Sequence, residues 1–365
     1  MTSIKKINFS LSIIIIFAIL WLTLDMIASN TLLFKKENCY NFEKFYYDLK
    51  KNCTGRDQFK TSFPIVNIFT NKFGLRTGVS KIELNKEKNI LVFGDSFTYG
   101  VGLEYEETYV GILEKKLTNY NFYNFAVGSY SPTVHYYRLT QAIKEGIKPS
   151  KIVLFLDLTD IYDEGDRWSL KEGFEKPFLK NNILFVRNNK KKSFKKRNFK
   201  ISRMLASKIN FNLRLIRSKL RNSFKKQNAG TRVKTSFQGQ FTYTNINDLN
   251  KNFWTKEKFE NGIIKIKKNV DLFNKIALEH NSEFYLVIYP WAETLEFGQK
   301  EFSWENFGKE LCSNNKCKLI NAIPDFIKYK DNDKNWVSDL YFPNDEHFNR
   351  LGDKLMADIV KDHLN

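Results

Sequence analysis

From Lys88 to the carboxyl end, short apolar runs alternate with longer stretches in which apolar residues recur every three or four positions. Uninterrupted runs of Ile, Leu, Val and Phe are the pattern of strands buried on both faces, and the stretches between them carry the period of amphipathic helices. The pattern predicts strands over residues 89–95, 120–127, 151–157, 283–289 and 317–322, and helices over 108–117, 133–146, 259–280 and 348–363. Strand and helix in alternation build a parallel sheet covered on both faces. The expected fold is α/β: a three-layer α/β/α sandwich around a central, mostly parallel five-stranded sheet.

Ahead of this domain, Lys5 and Lys6 precede an apolar run from Leu11 to Leu24, extendable across Asp25 to Leu33. The continuous part is short of the roughly 20 residues of a spanning helix. A cleaved signal peptide is the rival reading, with Ile27-Ala28-Ser29 as a poor cleavage site. An uncleaved N-terminal transmembrane helix is the expectation, because no Ala-x-Ala site follows and apolar character resumes at Leu32. Both readings carry the rest of the chain across the membrane. Residues 1–36 are then a cytoplasmic tip and single-pass inner-membrane anchor, 37–85 a small extracytoplasmic preface, and 86–365 the main domain in the periplasm or other extracytoplasmic space.

Composition sharpens this picture in two places. Four cysteines occur as two close pairs, Cys39 with Cys53 and Cys312 with Cys317. An even count in an exported chain reads as disulfides, neighbour pairing being the simplest of three connectivities. A zinc site is the alternative, but Cys-x-x-Cys spacing is absent and only four histidines are present. The other place is residues 187–226, which hold 16 Lys or Arg and no Asp or Glu, so most of the net charge of +19 is local. Apolar residues from Ile201 to Leu220 recur at helical spacing, predicting a basic amphipathic helix from about Lys200 to Phe224 within an insertion at about 187–230. Outside the cytoplasm, nucleic acid is not an expected partner. Such a helix suits an anionic lipid surface or an acidic polysaccharide, or packs its apolar stripe on the main domain.

The chemistry gathers at two ends of the domain. The first strand stops at Gly94, and Gly94-Asp95-Ser96 makes a sharp turn that exposes a serine at the carboxyl edge of the sheet. Far along the chain, Asp345 and His347 stand on a loop just before the closing helix. Together these supply a nucleophile, a base and a carboxylate to orient the base. After the third strand, Asp157, Asp160, Asp163, Glu164 and Asp166 crowd one loop; their spacing is not that of a calcium loop, so hydrogen-bonding carboxylates are expected there rather than a cation site. Tyr289-Pro290-Trp291 follow the fourth strand on the same edge, either as an aromatic ledge for a sugar ring or as a packed loop.

These residues resemble the SGNH (GDSL-type) hydrolase superfamily over about residues 86–365. The first block matches GDSF, Gly94 to Phe97, with Ser96 as nucleophile. The next block resembles NFAVGSYSP, which gives Gly128 an oxyanion-hole role beside the Ser96 N–H. The third normally ends in Asn-Asp; here it ends in Thr159-Asp160, leaving Thr159 as the candidate third donor. The last block spaces Asp345 and His347 by Glu346 alone, and this version is similar to the membrane-anchored acyltransferase-like branch acting on cell-surface polysaccharides. The resemblance implies a serine esterase or O-acyltransferase working through an acyl-enzyme, on acylated carbohydrate or a small ester. Asp95, Asp160, Tyr289 and Trp291 are the candidate substrate-binding residues, and no metal or cofactor is required. A catalytically silent carbohydrate-binding or envelope-assembly protein on the same scaffold is the alternative.

Overall fold

A computed structural model describes residues 2–30, 39–43, 46–60, 62–79, 86–170, 176–179, 202, 233–248 and 254–365. They belong to two compact units. One comprises Met1–Asn38, Lys60–Ser62 and Leu184–Ala229; the other comprises Cys39–Phe59, Phe63–Ile183 and Gly230–Asn365.

In the first unit the N-terminal apolar run forms one helix, α1 (Thr2–Asn30). Its Asp25 is buried and accepts a hydrogen bond from the Ser202 N–H at 2.8 Å, while Trp21 Nε1 donates to the Ser202 hydroxyl at 3.0 Å. Among the described residues no helix is long and apolar enough to cross a membrane. The expected transmembrane helix is therefore not supported: the uninterrupted apolar run ends at Leu24 and a carboxylate follows it. The basic helix expected over residues 200–224 lies, apart from Ser202, outside the described residues.

The second unit opens with a small antiparallel preface. Strands β1 (Tyr40–Phe42) and β2 (Tyr47–Leu49) pair as a hairpin, and β3 (Thr54–Asp57), β4 (Val66–Thr70) and β5 (Arg76–Thr77) form a three-stranded sheet. A disulfide between Cys39 and Cys53 ties the hairpin's start to the approach of β3. The second pair, Cys312 and Cys317, is also a disulfide, so both neighbour pairings expected from the sequence are present.

The main sheet follows. Strands β6 (Lys88–Phe93), β7 (Tyr120–Asn124) and β8 (Lys151–Leu156) are joined later by β11 (Glu283–Ile288) and β12 (Lys318–Asn321), with a short β9 (Trp168–Ser169) and β10 (Phe178–Leu179) pairing apart from them. All neighbours are parallel, in the order β12-β11-β8-β6-β7. All six residues of central β8 are buried, which is why its sequence is nearly a continuous apolar run. Helix α2 (Ser96–Tyr99) leaves β6 directly, α3 (Tyr109–Lys116) leads to β7, and α4 (Pro132–Lys144) leads to β8. Beyond β8 come α5 (Thr159–Tyr162) and the long α6 (Lys256–Glu279). The carboxyl part adds α7 (Ala292–Phe297), α8 (Trp304–Leu311), α9 (Ile323–Asn332), α10 (Trp336–Leu340) and α11 (Arg350–Leu364). Helix α4 packs on α6 and α3 packs on α11, giving helices to cover the central sheet.

Between the faces Phe93 stacks on Phe125 at 4.9 Å and meets Phe273 edge-on at 5.4 Å. Truncating such a fully buried ring costs about 3–5 kcal/mol. The chain leaves β6 toward β7 on one side and returns to β8 on the other. That reversal opens a crevice at the carboxyl ends of β6 and β8, the place where open α/β sheets bind ligands.

Candidate active site

The turn after β6 is tighter than its sequence suggests. Helix α2 begins at Ser96 itself, where the hydrophobic pattern predicts helix only from residue 108. Asp95 caps it, its Oδ1 accepting the Phe97 N–H at 3.0 Å, and Gly100 closes it in the left-handed region at φ 76°. One capped turn is too short to leave a periodic signature. Gly94 is needed for close approach: a Cβ there would stand 1.9 Å from Thr98 Oγ1 and 3.2 Å from the Phe155 Cβ. The preface reaches this turn through buried Arg76, which donates to the carbonyls of Tyr99, Gly100 and Leu103 and lies 4.5 Å over the Tyr99 ring. Arg76 lies in the segment from Thr70 to Gly78, whose sequence alone does not show this structural task.

Ser96 Oγ lies 2.8 Å from His347 Nε2, and His347 Nδ1 lies 2.5 Å from Asp345 Oδ1. With Nδ1 protonated toward the carboxylate, Nε2 is the acceptor facing the serine. Both Asp345 and His347 are buried, so their hydrogen bond has little competition from water. The local fold helps: the His347 N–H also reaches Asp345 Oδ1 at 3.2 Å, a tight turn that one intervening residue permits. Phe97 flanks the imidazole at 4.6 Å between ring centres and Phe59 meets it edge-on at 5.1 Å.

The serine has a second acceptor in reach, Asp95 Oδ2 at 3.1 Å. Burial raises the Asp95 pKa, against the charge of His347 and the hydrogen bonds it accepts. The serine hydroxyl has one proton, so Asp95 Oδ2 and His347 Nε2 are alternative acceptors for it.

Gly128 is adjacent to the serine: a Cβ built on it would stand 3.8 Å from the Ser96 Cβ. Thr159 also lines the crevice, but its hydroxyl donates to Asp157 Oδ1 at 2.5 Å and its N–H to the same oxygen at 2.8 Å. Asp157 Oδ2 accepts from Trp291 Nε1 at 3.2 Å. The neighbouring acids are taken up by protein donors in the same way. Asp160 accepts the Asp157 N–H at 2.9 Å, Asp163 pairs with Arg167 at 2.9 Å, Asp166 pairs with Lys258 at 2.8 Å, and Glu164 accepts from the Ser131 hydroxyl and from the hydroxyl and N–H of Thr133 at the head of α4. Burial first, then the neighbouring carboxylate charges, pushes Asp157 and Asp160 well above the usual range. Asp163 is pushed up to about 7 by burial, against the pull of Arg167.

The crevice holds about 180 Å³ and is lined near the serine by Phe59, Gly128, Ser129, Arg167, Gln238 and Trp291, among others. Tyr289 and Trp291 are not an exposed ledge. Both are buried, Tyr289 against Phe97 at 5.1 Å and Trp291 stacked on Phe97 at 6.2 Å, so the packed-loop alternative describes them. Trp291 still borders the crevice; Tyr289 and Asp160 do not line it.

A family model described as "Protein of unknown function (DUF1574)" matches residues 9–285. The chain belongs to that family. The matched region of this DUF1574 protein takes in Ser96, Gly128 and Thr159 and stops before Asp345 and His347. No curated protein matches it. Solved structures similar to it include a G-D-S-L family lipolytic protein from Veillonella parvula (12% identity, TM-score 0.41, 75% of this chain and 97% of that one). Another is the psychrotrophic esterase EstA from Pseudoalteromonas sp. (14%, 0.38, 76% and 97%), and a third is Axe2, an acetylxylan esterase from Geobacillus stearothermophilus (9%, 0.38, 78% and 97%).

Among the described residues of this DUF1574 chain, the clustered potential metal ligands are Asp345, Glu346 and His347. Asp345 and His347 are bonded to each other and His347 to Ser96, while Glu346 pairs with Lys234, so the geometry serves a hydrogen-bonded relay. Phe59, Arg167 and Gln238 escaped the sequence reading. Arg167 stood in plain view at the end of the acidic cluster; nothing local marks Phe59 or Gln238.

Proposed function

We propose that the chain is a serine-dependent ester hydrolase or acyl-transfer enzyme of SGNH type. The observation that carries this is the continuous run of hydrogen bonds from Ser96 Oγ through His347 to Asp345 beside Gly128. As Oγ attacks an ester carbonyl carbon, its proton passes to His347 Nε2, and Asp345 stabilises the imidazolium. The negative oxygen turns toward the N–H groups of Ser96 and Gly128. Collapse expels the alcohol, which takes the proton from Nε2, and leaves an acyl group on Oγ. Water, or a sugar hydroxyl in transfer, then repeats the sequence in reverse.

A crevice of about 180 Å³ suits a short acyl group, and its polar wall of Asp163, Arg167 and Gln238 suits a hydroxylated carrier. The reading is acyl groups on a glycan, handled outside the cytoplasm; two disulfides support an oxidising compartment. The test is turnover of a short-chain ester such as an acetyl ester by the full chain, with Ser96→Ala and His347→Ala beside it. Loss of turnover in both, with melting temperatures unchanged, is expected. Turnover surviving in His347→Ala would overturn the relay. Alkylation without reduction checks the compartment: four modified cysteines in protein from its own cell would contradict export.

A further inference from the structure

The turn that carries Gly128 is held from outside the sheet. Gly128 is followed by Ser129 at φ 61°, a left-handed conformation that is uncommon for a residue with a side chain. Two buried donors clamp this turn by its carbonyls. Tyr47 Oη donates to the Gly128 carbonyl at 2.6 Å, and Trp168 Nε1 donates to the Ser129 carbonyl at 2.8 Å. The Gly128 N–H and carbonyl lie in two peptide units joined at one Cα, and glycine is the residue most free to swivel there, so fixing the carbonyl removes part of the freedom by which the N–H turns away.

Tyr47 is a suitable anchor because it is itself fixed. It lies in β2 of the preface, 4% exposed, its ring packed on Tyr130 at 5.4 Å and Trp168 at 5.7 Å. The Tyr130 hydroxyl donates to the Tyr47 carbonyl, and the next residue, Asp48, is paired with Arg138 of α4. The Cys39–Cys53 disulfide closes the loop containing β1 and β2.

We propose that Tyr47 is a positioning residue for the oxyanion hole, and that the preface is through it a working part of the active site. By holding the Gly128 carbonyl, Tyr47 keeps the Gly128 N–H aimed at the carbonyl oxygen as charge develops there. The inference rests on the ester-hydrolase reading. Its cost appears in the transition state, where the oxyanion forms, rather than in ground-state binding.

The experiment compares wild type, Tyr47→Phe and Tyr46→Phe of the full chain for short-chain ester turnover. Tyr46 is a buried neighbour on the same hairpin, and its hydroxyl meets that of Tyr130 at 3.2 Å instead of the Gly128 turn. Tyr47→Phe is expected to lower kcat about five- to tenfold, the effect of one neutral hydrogen bond, with KM within about twofold. Its rate of inactivation by a serine-reactive phosphonate should fall in parallel, because that adduct places an oxygen in the same hole. Tyr46→Phe should keep wild-type kcat. If Tyr47→Phe turns over like wild type, or if both variants lose kcat and thermal stability together, the proposal is overturned and Tyr47 is only a packing residue. If wild type itself neither hydrolyses the ester nor reacts with the phosphonate, the ester-hydrolase reading falls and takes this inference with it.

Discussion

Thr159 gives both of its hydrogen-bond donors to Asp157: its hydroxyl and its N–H reach the same carboxylate oxygen at 2.5 and 2.8 Å. A hydroxyl has one hydrogen, so one committed to Asp157 is not offered to an oxyanion in the crevice. On the proposed mechanism that task falls to the backbone N–H groups of Ser96 and Gly128. Thr159→Val is accordingly predicted to lower kcat by less than about tenfold, whereas loss of a true oxyanion donor typically costs about 10²–10³. Steady-state kinetics on a short-chain ester decide it; a loss of a hundredfold or more would return the hydroxyl to the hole.

A different prediction concerns pH and stability. Burial lifts the Glu114 carboxyl from its ordinary range to about 7, opposed by its hydrogen bond with Tyr105. A carboxyl whose pKa is raised on folding favours the folded state while it stays neutral, below its unfolded value near 4.5, and loses that advantage as pH climbs through about 7. Wild type should therefore lose stability relative to Glu114→Gln between pH 5 and pH 8, on the order of 1–3 kcal/mol. Denaturant melts of both proteins at the two pH values check the sign. A gap that is constant with pH would contradict it.

The disulfides give a third. Cys39–Cys53 spans 14 residues and Cys312–Cys317 spans 5, so chain entropy favours the first. Replacing Cys39 and Cys53 by serine is expected to cost up to about 3 kcal/mol. Because the closed loop carries Tyr47, kcat should fall as well. Replacing Cys312 and Cys317 should cost less and leave kcat unchanged, since that loop lies between α8 and β12, away from the crevice. Thermal melts and ester turnover of the two double variants measure both effects.

The sheet was legible because buried parallel strands leave a plain signal. Each predicted core strand lies within three residues of its observed bounds at either end, β8 most clearly, since all six of its residues are buried. The α2 turn was not legible: one turn of helix has no period to detect, and what builds it is the pair of caps at Asp95 and Gly100. Ser96, Asp345 and His347 stood out as chemically suitable groups, and the fold brings Ser96 and His347 together across 251 positions of sequence. The reach of the preface was hidden for a different reason. Tyr47, Phe59 and Arg76 are ordinary core or surface types locally, and their contacts with Gly128, His347 and the Tyr99 carbonyl depend on how β-strands far away in sequence are placed. Tyr289 and Trp291 were open in the sequence, because aromatics after a strand read equally as a ledge and as packing until their burial is known.

The central claim is that Ser96 is a nucleophile activated by His347. The most direct measurement is reaction of the full chain with a serine-reactive fluorophosphonate, followed by peptide mass mapping of the adduct. One adduct per chain on Ser96, formed at a rate that drops at least about a hundredfold in His347→Ala, is the predicted result. No adduct on folded wild-type protein, or an adduct on another serine with Ser96 unmodified, would contradict the account.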